Sequence, residues 1–142
     1  MILVDVNVLL YAYDRDSPHH PESRRWLNAL LASDQRFGMS DIVLWAVIRI
    51  STHPRIFKRP SSVGSAIAFV NTIRNHANCM LVVPGPRHWE IFTRLCAETN
   101  ARAGLVTDAY LAAIAIESGS EWITMDADYA RFNGLQWRKP FS

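Results

Sequence analysis

Four aspartates in this chain follow or adjoin apolar segments, whereas most of the other acidic residues lie in polar stretches. Asp5 comes directly after the apolar run "MILV", and Asp126 and Asp128 follow the run "WITM". Asp108 lies near the start of an alanine-rich segment. Carboxylates at the mouth of buried strands repel one another unless a cation or a hydrogen-bond donor lies between them. These residue types therefore indicate a cation site.

The ligand types favour a hard divalent ion. Carboxylate oxygens, with no thiol or histidine at metal-binding spacing, select Mg²⁺ or Mn²⁺ over zinc. The candidate metal ligands are Asp5, Asp108, Asp126 and Asp128. Asn7, two residues beyond Asp5, and Thr124, two residues before Asp126, are short polar groups suited to holding carboxylates or water, although each also fits a local backbone contact.

Each acid also has a purely structural interpretation. Asp5 would cap the helix that follows it, and Asp108 would cap its own helix or pair with an arginine. Asp126 and Asp128 are common turn residues. The joint placement of the four acids favours a functional site over these separate explanations.

Alternating strand and helix patterns must position these acids. Short apolar runs predict strands at "MILVD", "RFGM", "CMLVVP" and "EWITM", with a further short strand at "LQWR". Helices are predicted in "VNVLLYAY", "SPHHPESRRWLNALLAS", "SDIVLWAVIRIST", "VGSAIAFVNTIRNH", "PRHWEIFTRLCAETN" and "LVTDAYLAAIAIESG". This order predicts an α/β fold, with a central parallel β-sheet flanked by helices on both faces. Ligands of such sheets bind at the carboxyl ends of strands, so Asp5, Asp108 and Asp126 are expected to meet in one cleft.

Length and composition predict one compact domain over residues 1–142. The chain has 49% hydrophobic residues and two cysteines, too few for a disulfide framework or a zinc site. The N-terminal segment lacks a basic leader and carries Asp5 within its apolar run, so a signal peptide is not expected. No stretch resembles a membrane span, and a cytoplasmic location is expected.

Basic residues are mostly arginine, which suits bidentate binding of phosphate, although a GC-rich genome produces the same bias. The densest basic run is "RISTHPRIFKRP". Its residues Arg49, Arg55, Lys58 and Arg59 are candidates for binding the backbone phosphates of a nucleic acid. An ordinary solvated loop fits the same run.

Two segments resemble a known family. The stretches "ILVDVNVLLYAY" and "LVTDAYLAAIAIESGSEWITMDADYARFNGLQWRKP" look like a PIN-domain nuclease. From residue 2 to about residue 140, the chain resembles a VapC-type toxin of a bacterial toxin–antitoxin pair. The resemblance implies a PIN-like fold in which Asp5, Asp108 and Asp126 hold the catalytic metal and Asp128 is an accessory acid. It also implies a Mg²⁺- or Mn²⁺-dependent endoribonuclease that hydrolyses RNA through a metal-activated water, a cognate antitoxin partner and a homodimer.

One position departs from the family pattern. The family places a glutamate in the helix after the second strand, and Ala46 stands where it would fall. Asp41 is no simple substitute, because five residues along a helix turn a side chain about 140° away. The substitution predicts a more open site, weaker metal binding or a single ion.

Two other functions fit parts of the sequence. A non-catalytic PIN module that binds RNA or a partner protein would account for Ala46. A haloacid-dehalogenase-like phosphatase would also place an aspartate after the first strand, but it requires a second acid where Asn7 stands. Metal binding by the remaining acids discriminates the nuclease from the binding module.

Overall fold

The computed structural model describes residues 1–142 throughout and contains five strands and six α-helices. In chain order these are β1 (Ile2–Val4), α1 (Val6–Tyr13), α2 (His20–Ala32), β2 (Phe37–Met39), α3 (Asp41–Ser51), α4 (Val63–Arg74), β3 (Cys79–Leu81), α5 (His88–Thr99), α6 (Gly104–Ser118), β4 (Glu121–Ile123) and β5 (Trp137–Arg138). A 3₁₀ helix spans Ala127–Arg131 between the last two strands. No helix is both long and apolar enough to span a bilayer.

The sheet is parallel, and its strand order is β3-β2-β1-β4-β5. The chain therefore moves outward from β1 to β3, then crosses back to β4 on the other side of β1. Right-handed crossovers in opposite directions along a sheet place their helices on opposite faces. The predicted α/β fold with helices on both faces is confirmed. The strand order reverses between β1 and β4, which is where such sheets bind ligands.

Local sequence sets the ends of the elements. Asp5 caps α1 with its side chain, and the Ser62 hydroxyl accepts from the Ser65 N–H at the start of α4. Helix α6 ends at Gly119, whose φ of +67° is the left-handed conformation that glycine adopts readily. The chain between α3 and α4, which carries most of the basic run, forms turns without a helix or strand.

The structure excludes the helix cap, one of the two structural alternatives for Asp108. Asp108 does not cap this helix; it is the fifth residue, because the helix begins at Gly104. Ala103 precedes the helix with a φ of +48° and makes no side-chain cap. Within α6, the alanines 109, 112, 113 and 115 are fully buried. Small side chains along this helix allow it to pack closely on the core.

A single cluster of 27 buried residues forms the core around the sheet. Its largest members include Trp122, Phe37 and Leu3, which come from three different strands. Burial on both faces accounts for the apolar runs of β1, β2 and β4, whereas the edge strand β3 is partly exposed, with Met80 47% and Leu81 45% exposed.

Gly38 in β2 offers a test of this packing. A Cβ at this position would collide with Leu3 Cδ2, and Leu3 is only 1% exposed. We expect Gly38→Ala to lower the free energy of unfolding by about 1–3 kcal/mol through overpacking, as measured by urea denaturation. Gly64→Ala in α4 is the matched control, because its Cβ would meet nothing within 4 Å. The control should be neutral or stabilising by up to about 1 kcal/mol, and an equal loss in both variants would contradict this packing.

Candidate active site at the carboxyl edge of the sheet

Asp5 lies at the junction of β1 and α1, and it is only 4% exposed. Its Oδ1 accepts from the Val6 N–H at 2.6 Å, and its Oδ2 accepts from the Thr124 hydroxyl at 2.6 Å and from Asn7 Nδ2 at 3.2 Å. Burial raises the pKa of Asp5 to about 7, and repulsion from Asp108 and Asp126 adds to that rise although two of the hydrogen bonds oppose it. Asp5 is therefore both a helix cap and a carboxylate whose charge is poorly compensated.

Thr124 and Asn7 connect the two strands that meet at the site. The Thr124 hydroxyl lies just beyond β4, is fully buried, and accepts from Asn7 Nδ2 at 3.2 Å and from the Asp126 N–H at 3.0 Å. Asn7 Oδ1 accepts from the Met125 N–H at 3.1 Å. These side chains link the start of α1 to the segment after β4. Buried polar networks of this kind fix the relative position of their members when every group is paired.

Asp126 and Asp128 belong to the turn into the 3₁₀ helix. Asp126 caps that helix, with its Oδ1 accepting from the Asp128 N–H at 2.9 Å. Asp128 is exposed and does not line the cavity that contains the other acids. The structural interpretation of "DAD" as a turn is therefore correct, and it coexists with the placement of Asp126 in the cavity.

Asp108 projects from α6 and is half-buried. Burial raises its pKa, as does repulsion from Asp126 and Asp128, whereas a hydrogen bond from Tyr129 opposes the rise. The Tyr129 hydroxyl donates to Asp108 Oδ1 at 3.2 Å, and Tyr129 is only 1% exposed. Sequence reasoning missed Tyr129, because an aromatic residue after a turn is more often a packing residue than a hydrogen-bond donor.

One cavity of about 400 Å³ collects these side chains. Its acids are Asp5, Asp108 and Asp126, and Asn7 also lines it. The other lining residues are Val6, Leu10, Ile42, Trp45, Ala46, Arg49, Ile50, Thr107, Leu111 and Tyr129. The structure thus brings together three of the four predicted acids, of which Asp5 lies more than 100 residues before the other two.

Helix α3 contributes no acid to this cavity. Ala46 lines it, in the position where the resemblance places a glutamate. Asp41 forms a salt bridge with Arg74 at 2.8 Å and is not among the lining residues. The expectation that Asp41 does not replace the missing glutamate agrees with this geometry.

The four basic residues proposed for RNA binding have different surroundings. Arg49 is the one basic residue that lines the cavity. Arg59 makes a bidentate pair with Asp16, at 2.9 and 2.8 Å. Arg55 and Lys58 are exposed in the loop after α3. Only Arg49 is placed to act directly beside the three acids.

The donor set fits a hard divalent cation. Three carboxylates around one cavity supply the oxygen ligands that such an ion prefers. The raised pKa of Asp5 also reflects repulsion from neighbouring negative charge, which a cation would offset. With the side chains as they stand, no group of three or more His, Cys, Asp or Glu residues forms a ready metal site. Binding an ion would therefore require the acidic side chains to move closer together.

Comparison with known proteins places this geometry in context. The family model described as PIN domain matches residues 2–135. "Ribonuclease VapC25" of Mycobacterium tuberculosis is 39% identical over 140 residues, which cover 99% of each chain. Two solved structures share the fold at low identity. VapBC2 from Rickettsia felis, bound to a promoter DNA fragment, has a TM-score of 0.70 at 17% identity over 98% of each chain. A toxin–antitoxin complex from Klebsiella pneumoniae has a TM-score of 0.64 at 18% identity over 99% of this chain and 98% of that one.

The buried acid makes the stability of the metal-free protein depend on pH. The pKa of Asp5 in the folded chain, about 7, lies above its ordinary value of 3.8. At pH values between these two pKa values, the folded state keeps a proton on Asp5 that the unfolded state releases, and this bound proton stabilises the folded state. The stabilisation is complete below about pH 4 and is lost as the pH rises through 7. In EDTA, we expect the melting temperature to fall by several degrees between about pH 5 and pH 8. Mn²⁺ should restore it mainly at pH 8, because the ionised carboxylate binds a cation better than the protonated one.

Asp5→Asn is the control for this measurement by differential scanning fluorimetry. Its melting temperature should depend less on pH and respond less to Mn²⁺. A wild-type melting temperature that is unaffected by Mn²⁺ at any pH would contradict a cation site in this cavity.

Proposed function

We propose that this chain, which belongs to the PIN-domain family, is an endoribonuclease of the VapC kind and the toxin of a toxin–antitoxin pair. The observation that carries the proposal is the convergence of Asp5, Asp108 and Asp126 on one cavity, in a chain 39% identical over its length to a VapC ribonuclease. Its substrate is RNA, and its protein partner is a cognate antitoxin. We further propose a homodimer formed by a single domain of residues 1–142, located in the cytoplasm.

The cofactor that we propose is Mg²⁺ or Mn²⁺, held by Asp5, Asp108 and Asp126. When bound, such an ion supplies an acidic water molecule and positive charge that offsets the charge developing on the phosphate. Asp128, whose charge acts on Asp108, is proposed to orient water at the edge of the site. The three ligands and their supporting residues are all oxygen or amide groups, in agreement with a hard ion.

The chain's own residues prepare the cavity for this reaction. Thr124 and Asn7 orient the Asp5 carboxylate through the hydrogen bonds described above. Tyr129 holds Asp108 through its hydroxyl; burial raises the pKa of that hydroxyl, so it remains a donor at neutral pH. Arg49 offers a guanidinium to a phosphate oxygen at the same cavity. We propose that Arg55, Lys58 and Arg59 bind more distant phosphates, with Arg59 exchanging its pairing with Asp16 for a phosphate.

Asp108→Asn tests the proposed reaction. The variant removes one carboxylate charge but keeps the size of the side chain and an acceptor for Tyr129. We expect it to reduce the rate of metal-dependent cleavage of purified total RNA by at least about 100-fold. When catalytic residues act as a unit, removal of any one of them abolishes most of the rate. The measurement compares wild type and variant, free of antitoxin, with Mg²⁺, Mn²⁺ or EDTA.

Asp34→Asn is the matched control, since Asp34 is an exposed aspartate outside the cavity. It should cleave like wild type. Full activity of Asp108→Asn would refute the proposed site. A folded wild-type protein that binds RNA but cleaves none with either metal would instead favour a non-catalytic PIN module, with Ala46 marking lost activity.

A further inference from the structure

Helix α3 gives the cavity a side of different chemistry from the three acids. It contributes Ile42, Trp45, Ala46, Arg49 and Ile50. Four of these side chains are apolar and one is cationic. The side chain of Ala46 is only a methyl group. It therefore leaves open the part of the cavity next to Trp45 that a larger side chain would fill.

Trp45 is the accessible aromatic ring of this cavity. It is 59% exposed, whereas the other aromatic lining residue, Tyr129, is only 1% exposed. The guanidinium carbon of Arg49 lies 5.5 Å from the centroid of the Trp45 ring. This arrangement places the guanidinium over one face of the ring, one helical turn further along α3, so a stacked base takes the opposite face.

We infer that Trp45 is a stacking platform for an unpaired nucleobase next to the scissile phosphate, and that Arg49 binds the phosphate between base and acids. This inference rests on the proposed ribonuclease function and adds the residues that hold the base and the phosphate beside the reacting bond. An aromatic face takes any unpaired base, whereas bases within a duplex are already stacked on one another. The cavity is complementary to a nucleotide and its metal ion in three ways: it has an apolar ring for the base, a cation for the phosphate and acids for the ion.

The second highly exposed tryptophan provides a matched control. Trp89 is 68% exposed, but it lies in α5, contacts Phe92 at a ring-centroid distance of 5.5 Å, and does not line the cavity. Loss of Trp89 therefore removes a similar exposed surface without removing the proposed stacking platform.

The test measures binding of a fluorescein-labelled pool of eight-nucleotide single-stranded RNAs by fluorescence anisotropy in Mg²⁺. All proteins carry Asp108→Asn so that the RNA stays intact. Trp45→Ala should weaken binding roughly 5- to 100-fold, the range expected for loss of one base stack. Trp45→Phe should recover most of the affinity, and Trp89→Ala should bind like its parent. Circular dichroism and melting temperature confirm that each variant is folded.

An abasic RNA of the same length separates stacking from a structural effect. It should bind the parent weakly, and Trp45→Ala should weaken it no further. Equal losses on abasic and ordinary RNA would overturn the inference, and so would equal losses in Trp45→Ala and Trp89→Ala. Unchanged RNA binding by Trp45→Ala, together with a changed oligomeric state, would assign Trp45 to a protein interface instead.

Failure of the proposed ribonuclease function has a different signature. In that case wild-type protein would cleave no RNA in Mg²⁺ or Mn²⁺. Because the anisotropy measurement needs no cleavage, it reports on Trp45 whether or not the chain is catalytic.

Discussion

The hydrogen bonds among Asp5, Thr124 and Asn7 are the constraint on which the site depends. They join the carboxyl ends of β1 and β4, the two central strands between which the strand order reverses. The Asp5 N–H also donates to Ile123 O at 2.9 Å, which extends the sheet pairing up to the first acid. Because the Thr124 hydroxyl also accepts from the Asp126 N–H, one buried side chain sets the positions of two acids that are 121 residues apart in the chain.

The same network places a carboxylate where its charge is costly. Asp5 is buried and has two acidic neighbours, and its pKa rises to about 7 although three donors point at it. A purely structural cap would be equally satisfied by a neutral oxygen from serine or asparagine. An ionisable side chain with a shifted pKa in such a cavity is characteristic of functional sites. A bound divalent ion, as proposed, would offset this charge, since it would stabilise the ionised forms of all three acids together.

Most of the fold could be predicted from the sequence, because apolar runs and helix signals agree along the chain. The convergence of Asp5 and Asp126 could be predicted too, since parallel strands end at one edge, and Asp108 is expected to join them from the alanine-rich helix. The contacts of Tyr129 and Arg59 could not, because each depends on a partner at a distance that no local pattern encodes: Asp108 for Tyr129 and Asp16 for Arg59. Likewise, no local sequence pattern distinguishes Trp45 from Trp122. Trp45 is 59% exposed at the cavity, whereas Trp122 is 1% exposed in the core. Tertiary packing alone distinguishes them.

Asp5, Asp108 and Asp126 are proposed to hold a divalent ion despite the alanine at position 46. A crystal structure of the chain grown with Mn²⁺, with anomalous diffraction recorded to locate the metal, tests this proposal. We expect a Mn²⁺ ion in the cavity, ligated by carboxylate oxygens of Asp5, Asp108 and Asp126, with Thr124 still donating to Asp5. An empty cavity at millimolar Mn²⁺, or an ion bound elsewhere while the protein still cleaves RNA, would contradict it.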